Sequence, residues 1–488
     1  MSQRSGRSRV VLAGAILASL AGYGSAAGQG DGKIPITTSS SEARAQYIKG
    51  RTLAENLRGH DSRQFLGQAA AKDPKFALAH YSLALSAPTA KDFFEHVKQA
   101  AALADKASEG ERLMILGLQA GANADTKAQR DYYERLAAAY PRDERAHFLL
   151  AGAYFGQQDM PKAIQEYRKA VEVASDFAPA YNLLGYAERQ VGAFGEAERA
   201  FKKYIELIPG DPNPYDSYAE LLMKMGRFDE SIAMYQKALA TDPHFAPSRI
   251  GIATNLMLQG KHDAARAETW KLHQAARNDG DRRGALFTAA VIYADEGKLE
   301  QAAGELKKEY AVAEKISDAA AMSADVVAIG DVLLEAGKLD EARKRYLQAL
   351  ELVQQSDLSP EVKENSKLVH QYNLGRVAVR TGDLPGAKQH AWAYMKGATA
   401  KKNDAQTRQA HELAGTIALA EKNFDQAIAE LSQGNQQNAY TLYRMALAYQ
   451  EKGDEAKAGE VFQKVANQNS LPALNYSFVR AKAKRMKA

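Results

Sequence analysis

A short motif recurs down this chain and restricts what it can fold into: Gly, any residue, a usually bulky apolar residue, two often polar residues, then a small one. It reads Gly192-Ala193-Phe194-Gly195-Glu196-Ala197, Gly226-Arg227-Phe228-Asp229-Glu230-Ser231, Gly260-Lys261-His262-Asp263-Ala264-Ala265 and Gly297-Lys298-Leu299-Glu300-Gln301-Ala302. It returns at Gly337, Gly382 and Gly453, with degenerate copies starting at Gln158 and Lys422. The anchors at 158, 192, 226 and 260 lie 34 residues apart, and those from 260 to 453 are separated by 37, 40, 45, 40 and 31. Such a period marks one supersecondary unit that cannot bury its apolar face alone and must stack on its neighbours. A chain of 488 residues can then grow as an array without enlarging a single core.

Each period predicts two short antiparallel helices. Gly at the end of the first permits the left-handed backbone of a C-cap, and an Asp or Glu shortly after it favours the start of the second. Tyr181, Leu184 and Glu188 before the turn are spaced by three and four, as are Ala197, Phe201 and Tyr204 after it. Pro179, Pro214 and Pro247 sit just inside a first helix, where a missing amide hydrogen is harmless, and Pro209 and Pro243 close a second.

On these residues the chain resembles the tetratricopeptide repeat. Residues 178–211 carry Tyr181, Leu184, Gly185, Ala197, Phe201 and Pro209 at the signature places, and residues 212–245 carry Tyr215, Tyr218, Ala219, Ser231, Tyr235, Ala238 and Pro243. Trp is absent from its signature place, and the units beyond 280 are longer than the standard. The resemblance implies an all-α superhelix of about eleven or twelve hairpins with a concave surface. An N-terminal array is expected over 43–279, most regular over 110–279, followed by irregular longer units over 280–475. A break in the array is expected at Asn278 to Gly284, and loops at Ser356 to Glu361 and Gly397 to Gln406, with Ser359 capping a helix from Pro360.

The ends differ from the array. Arg4, Arg7 and Arg9 precede the apolar run Val10 to Leu20, and Ser25-Ala26-Ala27 offers a cleavage site, so residues 1–27 read as a signal peptide or, uncleaved, as an anchor. The expected location is periplasmic or secreted. Residues 28–42 are small and polar and read as flexible, and 476–488 read as a basic tail carrying Arg480, Lys482, Lys484, Arg485 and Lys487. Without residues 1–27 the formal charge falls from +5 to +2, because three Arg and no acid leave with them. A nearly neutral chain is not expected to bind nucleic acid. Contact with a membrane or another acidic surface through the basic tail stays open. The composition, 45% hydrophobic and 25% charged, is that of a packed soluble protein.

No constellation for catalysis is visible. His411-Glu412 begins a zinc-protease pair, but position 415 is Gly, so the second ligand is missing. With no Cys, thiolate metal sites, disulfides and thiol chemistry are excluded. Neither cofactor nor metal is expected, and the chain reads as a non-catalytic adaptor or scaffold for another protein or peptide, or alternatively as a component of a secretion or polysaccharide-export assembly. The resemblance places ligands along the first helix of each unit. Carried over, those places are Phe148, Gly152 and Phe155; Asn182, Tyr186, Arg189 and Gln190; Asp216, Glu220 and Lys224; and Ile250, Thr254 and Met257.

Overall fold

The computed structural model describes residues 32–56 and 58–486, and all regular structure among them is helical. Twelve hairpins follow one another along the chain. The first four are α1 (Ser41–Glu55) with α2 (Gly59–Lys72), α3 (Ala77–Leu85) with α4 (Ala90–Leu103), α5 (Glu109–Ala122) with α6 (Thr126–Ala139), and α7 (Glu144–Gly156) with α8 (Met160–Val173). Next come α9 (Ala178–Gln190) with α10 (Phe194–Leu207), α11 (Asn213–Lys224) with α12 (Phe228–Thr241), α13 (Ala246–Leu258) with α14 (His262–Ala275), and α15 (Asp279–Asp295) with α16 (Leu299–Lys315). The last four are α17 (Ala319–Glu335) with α18 (Leu339–Gln354), α19 (Pro360–Thr381) with α20 (Leu384–Ala400), α21 (Asp404–Ala420) with α22 (Phe424–Gln433), and α23 (Ala439–Lys452) with α24 (Glu455–Ala466). A single helix, α25 (Leu474–Met486), follows them.

The odd-numbered helices touch the odd-numbered helices of adjacent units as well as their own partners, so they form the inner layer of a superhelix. The even-numbered helices pack between them on the outside. Their aromatic side chains, among them Phe201, Tyr235 and Tyr346, are fully buried and press into notches on the inner helices. Gly251 makes one such notch: a Cβ there would lie 2.1 Å from Cζ of Tyr235. The motif glycines from Gly192 to Gly453 all have φ between +76° and +89°, as a left-handed C-cap requires. At the degenerate copies Gln158 and Lys422 adopt the same conformation, with φ of +64° and +62°.

The irregular spacing beyond 260 has a simple cause. Helices α7 to α14 are 12–14 residues long, whereas α15 to α21 are 16–22. The insertions are mostly extra helical turns of about 3.6 residues each. Ser359 does cap α19, its hydroxyl accepting from Val362 N.

Four expectations are corrected. The polar stretch at Asn278 is no break: Asn278 accepts from Asp281 N at 2.9 Å and starts α15, with Asp279 and Asp281 favouring the positive end of the helix dipole. Gly397 to Ala400 belong to α20, and only 401–403 separate it from α21. Residues 33–38 are tied to the array: Ile34 N donates to Asp143 Oδ2 at 2.7 Å, Thr37 N to Glu111 Oε1 at 2.7 Å, and Thr38 Oγ1 to Asp73 Oδ2 at 2.6 Å. The basic tail is mostly α25, a packed helix in which Tyr476, Val479, Arg480 and Ala483 are buried. Residues 1–27, read as a signal peptide or anchor, lie outside the described residues.

Successive turns of the superhelix touch. Lys91 N donates to Asp318 Oδ2 at 3.1 Å, Ser359 Oγ to Asn123 Oδ1 at 3.0 Å and Asn403 Nδ2 to the Ala124 carbonyl at 2.9 Å. Further along, Gln158 Nε2 donates to Asn435 Oδ1 at 3.0 Å and Lys224 Nζ to the Gln468 carbonyl at 2.6 Å. Each link joins residues more than 220 positions apart.

Candidate binding groove

The inner helices divide the concave face into three stretches of different character. In the first, α1, α3 and α7 and the segment 33–36 enclose a cleft of about 460 Å³. Its walls are Ile34, Ile36, Leu78, Leu85 and Phe148, with Phe177 at the turn into α9. Phe148 stands edge-on to Phe177 with centroids 5.5 Å apart. Leu85 is 56% exposed, so the cleft is open to solvent on that side.

Charge fixes the rim of this cleft. Arg145 donates to Glu55 through Nε at 2.6 Å and Nη2 at 3.1 Å, pairs with Glu144, and lies over the Phe177 ring. Burial works against the Arg145 charge, but Glu55, Glu144 and Asp143 outweigh it and hold its pKa above the ordinary arginine value. Lys33 pairs with Glu144, which ties the N-terminal segment to the same network. A planar, two-pronged ion pair of this kind holds its geometry.

The second stretch, α9 to α11, brings together most of the positions expected from the sequence. Tyr186 Oη donates to Glu220 Oε1 at 2.9 Å, Arg189 Nη1 to Glu220 Oε2 at 3.2 Å, and the Arg189 guanidinium lies over the Tyr186 ring. Arg189, Gln190, Glu220 and Lys224 do not face open solvent alone: the connections 435–438 and 468–473 and the start of α25 face them across a cavity of about 350 Å³. Burial, and then Arg189, push the Lys224 pKa down to about 8. Asn182 and Asp216 are buried, and Asp216 accepts from Ser248 Oγ at 2.6 Å. Burial first and then Glu220 push the Asp216 carboxyl well above the usual carboxylate range. Asp216 thus ties α11 to α13, whereas the buried Asn182 Oδ1 has no hydrogen-bond partner among the described residues.

The remaining positions separate. Phe155 is half-buried against the N-terminal core, Gly152 sits near Tyr167, and Ile250 packs with Leu272. Met257 and Thr254 are buried, and the Met257 carbonyl accepts from Arg480 Nη2 at 3.3 Å. Met257 is therefore covered, because α25 fills the third stretch of the groove over α13, α15 and α17. His411 and Glu412 do not converge: His411 Nδ1 lies 2.7 Å from Glu430 Oε2, and buried Glu412 accepts from Asn435 N. Sequence reasoning missed the cleft wall at Ile34 and Ile36. Its only trace is the apolar run Ile34-Pro35-Ile36 within a polar stretch.

A curved double layer of helical hairpins with a lined inner face defines a helical-repeat solenoid of the binding type. The tetratricopeptide repeat matches residues 117–179, 178–211, 222–269, 327–394 and 440–470. The chain belongs to the tetratricopeptide-repeat family. Hsp70-Hsp90 organizing protein 3 of Arabidopsis thaliana is 24% identical over 115 residues, which are 24% of this chain and 20% of that protein. The chain thus spans about a fifth of the length of this curated relative. A solved tetratricopeptide-repeat protein from Parabacteroides merdae is 16% identical, covering 56% of this chain and 94% of its own with a TM-score of 0.36. YrrB, described as a TPR protein with an unusual peptide-binding site, is 19% identical over 37% of this chain and 91% of its own, with a TM-score of 0.26.

Proposed function

We propose that the protein is a non-catalytic adaptor that holds an extended apolar segment of a partner protein in the cleft between α1, α3, α7 and residues 33–36. The observation that carries this reading is the combination of about 460 Å³ of apolar space with a rim fixed by the Arg145–Glu55 pair. A pocket of that size and lining suits two or three apolar side chains, with the rim setting their orientation. Ile34 and Ile36 pack on the N-terminal core and form one wall of the cleft, so its apolar lining is already in place.

Export to the periplasm or the exterior is part of the proposal and rests on Arg4, Arg7, Arg9 and the apolar run that follows. Among the described residues no helix is long and apolar enough to cross a membrane. Docking on a membrane or assembly through the basic tail has less to work with, because Arg480 and Lys482 are paired with Asp295 and Glu335 of the same chain.

The test is selection of binding peptides from a random library on the full protein, followed by titration of the best one. Leu85→Glu is expected to weaken that peptide at least tenfold, since a carboxylate in the apolar cleft costs roughly 2 kcal/mol or more. Trp270→Glu, on the outer helix α14, is expected to leave it unchanged. Equal affinity for the wild type and Leu85→Glu would sink the assignment of the cleft.

A further inference from the structure

Helix α25 is seated on the groove as a ligand would be. Leu474, the run Tyr476 to Arg480 and Ala483 are buried; Tyr476, Val479, Arg480 and Ala483 among them keep helical spacing, and Phe478 stands edge-on to Tyr440 of α23. It packs on α15, α17 and α23 as well as on α24, the helix before it. Arg480 reads the groove in detail. Its guanidinium takes Asp295 with both prongs, Nε donating to Oδ1 at 2.6 Å. Nη1 donates to the Leu258 carbonyl at 3.2 Å and Nη2 to that of Met257 at 3.3 Å, at the negative end of α13. Lys482 pairs with Glu335 at the end of α17.

Two features make this seat separable from the rest of the fold. The connection 467–473 carries no helix, so α25 can leave without unwinding α24. Both acids of the groove also keep a second partner within the array: Asp295 Oδ2 lies 2.9 Å from His262 Nε2, and Glu335 Oε2 accepts from Tyr440 Oη at 2.5 Å. An acid that keeps one partner loses less on opening than one left buried and alone.

We propose that the groove over α13, α15, α17 and α23 is a receptor for a basic amphipathic helix, and that α25 is its tethered occupant. A partner helix with an aromatic and β-branched face, one Arg placed to meet Asp295 and one Lys placed to meet Glu335 takes its place. The affinity seen by such a partner is reduced by the fraction of molecules in which α25 is seated. This reading is independent of the N-terminal cleft and survives its failure.

The experiment uses the full chain and a fluorescent synthetic peptide of sequence 472–486 as probe. The Phe478→Ala, Arg480→Ala chain is expected to bind the probe at least about tenfold tighter than the wild type, because the tethered competitor is weakened. Asp295→Asn added to that chain is expected to remove the gain. No gain in a double variant that keeps wild-type helicity would overturn the proposal and make α25 a permanent part of the core. Should the double variant not fold, hydrogen exchange of the wild type decides instead. Amides 478–484 exchanging well ahead of those in α13 and α15 support a detachable occupant, and exchange at the same rate as those helices overturns it.

Discussion

At the scale of single residues, the turns show how closely backbone demand and residue choice agree. A left-handed C-cap favours Gly, and every copy of the motif that carries Gly uses it so. Gly226→Val is expected to cost at least about 1 kcal/mol, because a branched side chain resists the +76° φ. Lys422 is the converse case, an exposed side chain held at +62°. Lys422→Gly is expected to leave stability unchanged or raise it by up to about 1 kcal/mol, read as a shift in the urea midpoint. These turns were legible in the sequence at the Gly copies from residue type, and at Gln158 and Lys422 from spacing alone. Asp211 was not legible, because its burial comes from how the turn after α10 folds in. Burial pushes its carboxyl up to about 6, and its Oδ1 has no hydrogen-bond partner among the described residues. The folded state therefore holds a proton that the unfolded chain releases near its ordinary 3.8, and stability falls as pH rises from about 4 through 6. Asp211→Asn removes that loss: its urea midpoint is expected to exceed the wild type's at pH 7, by on the order of 1–2 kcal/mol, and to approach it at pH 4.

Among the elements, the hairpins were readable because each has its own periodicity and punctuation. The errors share one cause. A run such as Asn278-Asp279-Gly280-Asp281 has the same composition whether it is a loop or the capped start of a helix, and only the hydrogen bond from Asp281 N decides. Residues 33–38 likewise look loose in isolation, because the carboxylates that hold them belong to Asp73, Glu111 and Asp143, well along the chain. Glu111 serves two elements at once: it closes the capping box with Ser108 at the start of α5 and accepts from Thr37 N. Glu111→Ala is expected to cost about 1–2 kcal/mol through the lost cap and an orphaned donor. Limited proteolysis should then cut within 33–38 faster than in the wild type; equal rates would show that Lys33, Ile34 and Ile36 hold the segment without it.

For the whole molecule, the links between superhelical turns were invisible in the sequence, since single polar side chains more than 220 residues apart leave no periodic signal. The same distance hid the proximity of Arg189, Glu220 and Lys224 to the 468–473 connection. Combining Gln158→Ala, Ser359→Ala and Asn403→Ala removes three of these links at about 1 kcal/mol each, together with the side-chain caps of α19 and α21 at about 1 kcal/mol each. The radius of gyration in solution is expected to rise as the turns part, with helicity nearly kept; an unchanged radius would assign the closure to α25 and its apolar face. The seating of α25 also sets an order of events during synthesis. The part of its seat on α13, α15 and α17 exists once residue 335 is made, the part on α23 only once residue 452 is made, and α25 itself ends at residue 486. At about 5–20 residues per second the nascent protein carries the α13, α15 and α17 part of that groove vacant for roughly ten to thirty seconds and the whole groove for only a few, so its apolar floor is exposed during synthesis before its own helix arrives.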